Sequence, residues 1–431
     1  MKRALPALLI LGAAGIAAAA PLPSRRSEIV EVVDKVSPAV VNIAAEQTVR
    51  RRPSILDDFF FGIDPRSRRA QQSLGSGVII RPEGIILTND HVISGASRIL
   101  ATMKNGQELE CDVVGSDADN DLAVLRVRTP RGNLPTIRLG TSSDLMIGET
   151  VVAIGNPFGL SNTVTTGVLS ALGRSVPGEN QRMYTDFVQI DAPINPGNSG
   201  GPVVNIQGDM IGVATAIIGG AQGIGFAIPV DRAKRIVDDL LRFGEVRAVW
   251  IGVRGQTLTS GNAELARPGG FRVRSVTPGS PAARAGLRPG DLIVSVDGAA
   301  IVSREAFETA LSTRGPGRPM RLVLRGSNGE RTVTVQGQAP PADLGVRILR
   351  EQLGITLSRA RGGLQINVVD RNGDAADRGI ESGDLLLGLN GAAVRSLDDV
   401  NRILQRDFNR TTLLMEVGRG RFAYTLTFPL D

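Results

Sequence analysis

The chain holds one cysteine, one histidine, one tryptophan and two tyrosines in 431 residues. Lysine is nearly missing as well, occurring only at Lys2, Lys35, Lys104 and Lys234. Each shortage removes a class of chemistry. A lone Cys111 rules out an intramolecular disulfide. One histidine and one cysteine cannot build a His/Cys metal cluster, and H-E-x-x-H is absent, so no metal site is expected. No lysine follows a glycine, so the phosphate loop G-x-x-x-x-G-K-[ST] is missing and nucleotide hydrolysis is not expected. The net charge of +6 is carried mainly by scattered arginines, with short clusters at Arg50-Arg51-Arg52 and around Arg66, Arg68 and Arg69. No long basic stripe with interleaved aromatics exists, so nucleic acid is not an expected partner. No cofactor is expected.

What is plentiful is glycine, with 52 residues, which favours β structure with tight turns. The length implies two to four domains. Cys111 lies in the alternating run Glu108–Val114 and reads as a small buried hydrophobe, with no ordered base nearby. At the N-terminus, Met1-Lys2-Arg3 precedes an apolar run from Ala4 to Ala20. Residues 1–20 therefore read as a secretory signal peptide with cleavage near Ala19 or Ala20. Pro21 disfavours that cleavage, so retention as an N-terminal membrane anchor is the second reading. The run is at the short limit for a spanning helix. Either way the body is exported, and export without disulfides fits a bacterial periplasm, with or without attachment to the inner membrane.

Residues 24–35 carry Ile29, Val32 and Val33, followed by Val36, at helical spacing. Two groups of about six short strands follow. The first runs Ala39–Ala44, Ser76–Ile80, Gly84–Thr88, Arg98–Thr102, Glu108–Gly115 and Asp121–Val127. The second runs Thr150–Ile154, Thr165–Ala171, Phe187–Ile190, Gly201–Asn205, Met210–Ala214 and Gly225–Ile228. Two such groups predict two antiparallel barrels. A helix from Pro229 and Asp231 to Arg242 closes this unit. The polar stretch 47–73 contains Phe59-Phe60-Phe61, which packs either under its own loop or at a subunit contact. The last third is an internal repeat: Ala282–Leu292 matches Ala375–Leu385 at a constant spacing of 93 residues, Gly290 to Gly383. That period is too long for a solenoid and means two copies of one small domain. Each copy carries a helix, starting near Arg304 in the first and Leu397 in the second.

The stretch Asn195-Pro196-Gly197-Asn198-Ser199-Gly200-Gly201-Pro202 forbids a regular helix and breaks a strand. It is either a plain surface turn or a nucleophile held among amide donors. A serine hydroxyl needs a base, and His91, ending the strand-like Leu87-Thr88-Asn89-Asp90 run, is the only histidine. Asp121, opening the apolar strand Leu122–Val127, is the candidate carboxylate that orients the imidazole. Gly197, Asn198 and Ser199 are the candidate amide donors to an oxyanion. Gly200 and Gly201 leave room for a substrate backbone. The order His91, Asp121, Ser199 is that of chymotrypsin-type double barrels.

The stretches Thr88–Ile93, Asp121–Val124, Ala153–Gly159, Asp191–Pro202 and Gly223–Pro229 resemble the HtrA/Deg family of envelope serine proteases, and the two repeats resemble PDZ domains. The resemblance implies a mainly β fold: a chymotrypsin-like double β-barrel over residues 27–243, followed by two small α+β PDZ domains at 248–339 and 345–431. It implies His91 as base, Asp121 as orienting acid and Ser199 as nucleophile. It also implies a substrate pocket at Ile218, Gly219, Ile224, Gly225 and Phe226, with room for a modest aliphatic side chain. Peptide-carboxylate loops are implied at Trp250, Ile251, Gly252 and Val253 and at Leu353, Gly354 and Ile355. The second loop has no aromatic lead residue and follows Arg347 and Arg350, so it serves either peptide binding or assembly. The implied activity is ATP-independent endoproteolysis of unfolded or damaged envelope proteins. The implied partners are unfolded polypeptides and protein C-termini, and the implied assembly is a homotrimer or larger multiple. The alternative is a chaperone or peptide-sensing scaffold in which binding dominates.

Overall fold

The computed structural model describes residues 25–46, 72–130, 132–156, 162–177, 183–195, 197–217, 223–258, 269–312, 314–326, 329–360 and 363–430. The N-terminal leader and Phe59–Phe61 lie outside them. Helix α1 (Glu28–Val36) starts at Ser27, whose hydroxyl accepts from the Val30 amide, and buries Val32 and Val36.

The first six strands are β1 (Val40–Glu46), β2 (Gln72–Arg81), β3 (Ile85–Thr88), β4 (Arg98–Met103), β5 (Glu108–Asp117) and β6 (Leu122–Val127). They close into a barrel in the order β1-β2-β3-β6-β5-β4. Alternation of side chains sends Ile99, Ala101 and Met103 of β4 inward to meet Val41, Ile43, Ile79, Ile86 and Leu125. Cys111 packs in the same core, where burial pushes its thiol up to about 12.

The second group comprises β7 (Arg138–Leu139), β8 (Thr150–Gly155), β9 (Thr163–Pro177), β10 (Met183–Ile190), β11 (Pro202–Asn205), β12 (Asp209–Ile217) and β13 (Gly225–Pro229). The ring β8-β9-β10-β13-β12-β11 is closed by pairing of β11 with β12, and β7 adds to β12 in parallel. A further apolar cluster welds the two barrels together. It joins Val78, Leu87 and Val124 to Ile154, Val213 and Ile228, and takes in Val230, Ala233, Ile236 and Leu240 of a long helix. That helix (Val230–Phe243) follows the one-turn helix α2 (Asp90–Ile93) in the chain and is α3. Each of its fully buried aliphatic side chains contributes roughly 1.5–3 kcal/mol. It stops at Gly244, whose φ of +74° suits glycine. The buried Asp239 carboxylate on its last turns accepts from both Arg235 and Arg247, which ties the segment leaving the helix back onto it.

The C-terminal repeat becomes two sheets of one topology. The first contains β14 (Val253–Leu258), β15 (Gly270–Val276), β16 (Leu292–Val296), β17 (Ala299–Ala300), β18 (Pro319–Gly326) and β19 (Gly329–Gln336). The second contains β20 (Ile355–Ala360), β21 (Gly363–Val369), β22 (Leu385–Leu389), β23 (Ala392–Ala393), β24 (Thr412–Arg419) and β25 (Phe422–Pro429). The orders are β14-β15-β16-β18-β19 and β20-β21-β22-β24-β25. Helices α4 (Pro281–Arg284) and α5 (Arg304–Ser312) belong to the first unit, α7 (Asp374–Asp377) and α8 (Leu397–Arg406) to the second. Helix α6 (Leu344–Leu353), which the sequence reading did not foresee, runs directly into the second unit and packs on α8. The starts of α5 and α8 agree with the sequence reading.

Candidate active site

The site lies at the seam of the two barrels. Strand β3 is buried at all four positions, and Asn89 at its end turns the chain into α2. Val92 and Ile93 anchor that single turn in the first barrel, which fixes the backbone that carries His91. Asp121 precedes β6 with φ of +52°, a left-handed conformation that aspartate tolerates better than most side chains. The Asn89 side-chain amide donates to the Asp121 carbonyl at 2.7 Å and pins the turn. The Asp121 carboxylate faces His91: its Oδ1 accepts from the His91 amide at 3.1 Å, and the two oxygens lie 2.8 and 2.9 Å from Nδ1. An ionised carboxylate only accepts, so the Nδ1 proton is held there and Nε2 is the basic nitrogen.

Ser199 is brought from the second barrel by the turn ahead of β11 and is buried. Its hydroxyl donates to the Thr215 carbonyl at 3.0 Å. Transfer of that proton to an imidazole therefore requires the hydroxyl to give up this bond first. Thr215, on β12, also donates its own hydroxyl to Asp121 Oδ2 at 2.5 Å. One threonine thus bonds both Ser199 and Asp121. Sequence reasoning missed it; the available signal was a hydroxyl residue inside the otherwise apolar run Ile211–Ile217.

The turn itself is closely held. Gly197 and Gly200 have φ of +96° and +83°. The Asn198 amide donates to the Asn195 carbonyl, the Gly201 amide to Asn198 and the Gly200 amide to Ala214. This corrects the expected donor trio: the Asn198 amide is already spent inside the turn. The amides of Gly197 and Ser199 have no acceptor among the described residues. A Cβ on Gly200 would sit 2.1 Å from the Ser76 carbonyl oxygen, so only glycine fits this close approach.

Of the expected pocket residues, Ile218 and Gly219 lie outside the described residues. Ile224 is half-buried. Gly225 faces Ile190 and Ile194, where a Cβ would come within 2.8 Å of Ile194. Phe226 corrects the reading. The pleat turns it the opposite way, and it packs on Phe187 with ring centroids 6.1 Å apart, in the cluster between the barrels.

In the first repeat unit, Ile251, Gly252 and Val253 line a groove between β14 and α5, with Phe271, Phe307 and Leu311. Gly252 has φ of +79°. Trp250 is not among the residues lining this groove. It is buried in the apolar cluster of the second unit and exchanges two backbone hydrogen bonds with Gln338. In the second unit the Gly354 amide caps α6 by donating to the Leu349 carbonyl, and Leu353 and Ile355 are buried. That amide is therefore not offered to a peptide carboxylate.

The trypsin-like peptidase domain model matches residues 75–213, and PDZ domain models match residues 272–326 and 351–429. A probable periplasmic serine endoprotease, DegP-like, of Halomonas elongata is 36% identical over 449 residues, covering 94% of this chain and 93% of the relative. The chain belongs to the HtrA/DegP-like family of serine endoproteases. The periplasmic pH-dependent serine endoprotease DegQ of Escherichia coli (strain K12) is 36% identical over 408 residues, covering 90% of this chain and 88% of that one. Among solved structures, the HtrA-type protease AlgW with tripeptide is 36% identical with a TM-score of 0.54, covering 73% of this chain and 98% of that one. This HtrA chain is a serine endopeptidase, mainly β, with a double-barrel protease unit ahead of its PDZ domains.

Proposed function

We propose that the chain is an ATP-independent periplasmic endopeptidase that degrades unfolded or damaged envelope proteins through an acyl-enzyme on Ser199. The observation that carries this reading is that the His91–Asp121 pair and the buried Ser199 are linked through Thr215, while the Gly197 and Ser199 amides have no acceptor among the described residues. In the reaction the Ser199 hydroxyl swings from the Thr215 carbonyl to His91 Nε2, which takes its proton as Oγ attacks the peptide carbonyl. Asp121 holds the imidazole and stabilises its cation. The Gly197 and Ser199 amides receive the oxyanion, each such donor being worth roughly 3 kcal/mol. His91 then protonates the leaving amine, and water releases the acyl group. An unfolded chain can lie extended along the seam, whereas a folded one cannot. Gly225, over Ile190 and Ile194, suits a modest aliphatic side chain at the cleaved position. The PDZ domain at 248–339 recruits protein C-termini by adding them as a strand to β14. The protease unit at 27–243 is read as trimerising, and residues 1–20 as the export signal.

Casein digestion by the wild type and by Ser199→Ala tests the proposal, together with intact-mass detection of a fluorophosphonate adduct. The expected result is one adduct on the wild type, none on the variant, and loss of digestion with casein binding retained. Equal digestion by both proteins would refute the serine mechanism. A wild type that suppresses casein aggregation without cutting it or reacting with the probe would favour the binding-dominated alternative.

A further inference from the structure

We propose that Ser76, in the first barrel, is a positioning residue for the oxyanion turn of the second. Ser76 lies on β2, fully buried, opposite Asn42 of β1. Its amide donates to the Ser199 carbonyl at 2.8 Å. Its hydroxyl donates to the Gly197 carbonyl at 2.5 Å and accepts from the Asn156 amide at 2.8 Å. Its own carbonyl accepts from the Thr88 hydroxyl at 2.7 Å. The Asn156 carbonyl is held in turn by the Asn42 side-chain amide at 2.7 Å. Every polar group of Ser76 is therefore aimed at the barrel seam.

The consequence follows from peptide planarity. With the Gly197 carbonyl tied to Ser76, the Asn198 N–H must point the other way, to Asn195. With the Ser199 carbonyl tied to Ser76, the Gly200 N–H must point to Ala214. The peptide between these two planes carries the Ser199 N–H, and its carbonyl is held by the Gly201 amide. Ser76 thus fixes both flanks of the peptide that presents the catalytic amide. The turn's own Asn198 side chain is buried, and neither of its polar atoms has a hydrogen-bond partner among the described residues, so none of these braces the turn through it.

The proposal rests on the serine mechanism above, and the Ser199→Ala test decides that mechanism separately. Ser76→Ala removes the hydroxyl and keeps the backbone bond to Ser199. A roughly tenfold to hundredfold loss of kcat is expected, with KM within about twofold of the wild type. The affinity of a peptide boronate, which is tetrahedral when bound, should fall by the same factor as kcat. Active-site titration normalises for the folded fraction. A wild-type kcat, a KM rise that accounts for the loss, or an unchanged boronate affinity overturns the proposal. Should Ser76→Ala fail to fold, Asn42→Ala loosens Asn156 behind the hydroxyl and must show the same kcat-only pattern, weaker in degree; its absence is equally decisive.

A separate observation concerns the first PDZ groove. The groove that Ile251, Gly252 and Val253 line is also lined by Phe408, Asn409 and Leu430 of the second PDZ unit. Arg304, at the start of α5, donates both to the Gly255 carbonyl on β14 and to the Asn409 carbonyl. Trp250, beside the carboxylate loop, is part of the second unit's apolar cluster. We infer that the second PDZ unit caps the first groove, so that a peptide C-terminus enters only when the segment around Phe408 withdraws. In the full chain, Phe408→Ser should bind a fluorescein-labelled heptapeptide with three C-terminal valines and a free carboxylate about tenfold more tightly than the wild type. In the wild type, saturating peptide should speed hydrogen exchange of residues 405–412. Unchanged affinity in a folded variant, or unchanged exchange in the wild type with peptide bound, overturns the cap.

Discussion

Replacing Thr215 with valine removes one hydroxyl and keeps the branched shape. The loss falls on Asp121, whose Oδ2 accepts from that hydroxyl at 2.5 Å inside a part-buried site. A hydrogen bond to an ionised group is worth about 1.5–3 kcal/mol. Asp121 keeps its bonds from the His91 amide and Nδ1, so the imidazole stays near its place but is held less firmly. If the lost energy acts mainly where the imidazolium forms, kcat falls roughly tenfold to hundredfold, at about 1.4 kcal/mol per factor of ten. The Thr215 carbonyl, which holds the resting Ser199 hydroxyl, is unaffected, so KM should stay near the wild-type value. Steady-state rates on a fluorogenic peptide, normalised to fluorophosphonate-titrated sites, give the number. Thr215→Ser retains the hydroxyl and should remain within about threefold of the wild type. Two results refute the reasoning: a valine variant as fast as the wild type, or a serine variant as slow as the valine one. The second would assign the effect to methyl packing.

Gly200→Ala forces a Cβ to 2.1 Å from the Ser76 carbonyl oxygen and 2.5 Å from Thr88 Oγ1, at a φ of +83°. The turn must shift, so fluorophosphonate labelling should drop below about a tenth of the wild-type rate, and Tm by several degrees; normal labelling would exclude this geometry. Burial that pushes the Cys111 thiol up to about 12 leaves almost no thiolate at pH 8. Iodoacetamide should therefore spare the native chain and modify it fully in urea, and rapid native labelling would place Cys111 outside the barrel. The Arg402 guanidinium, with the Ser396 hydroxyl and the Arg395 amide, holds the Asp399 carboxyl down at about 2 at the start of α8. A depressed carboxyl stabilises the fold above its unfolded value of about 3.9 and loses that contribution as pH falls through its folded value. Hydrogen exchange of α8, corrected for intrinsic rate, should therefore accelerate between about pH 4 and pH 2. Asp399→Asn should remove that step, and a step of the same size in the variant would assign it to another group.

The three candidate residues were legible because the chemistry proposed for them leaves so little choice. One histidine in the chain, one serine among left-handed glycines and one acid opening an apolar strand are visible without coordinates. The double barrel and the repeat were legible because strand periodicity and a constant spacing are local properties. What stayed hidden depends on closure. The Thr215–Asp121 bond joins residues 94 apart and the Ser76–Gly197 bond residues 121 apart, and nothing near either hydroxyl announces its partner. The Phe226 error has the same root. A stretch of small residues suggested an open wall, but the register of β13 against β10, Gly225 to Ile190 and Phe226 to Gln189, decides which neighbour faces which side. Gly252 and Gly354 make the sharpest comparison. Both have positive φ and precede a groove-edge strand, and the carbonyls of both accept an amide from the strand-end turn, Thr277 in one unit and Asp370 in the other. Only Gly354 follows a helix, and the Leu349 carbonyl at the end of that helix takes its N–H. A glycine motif specifies a backbone angle. Whether the amide it turns is left for a ligand depends on what the preceding residues have become, and ten residues of helix were enough to give the two copies different answers.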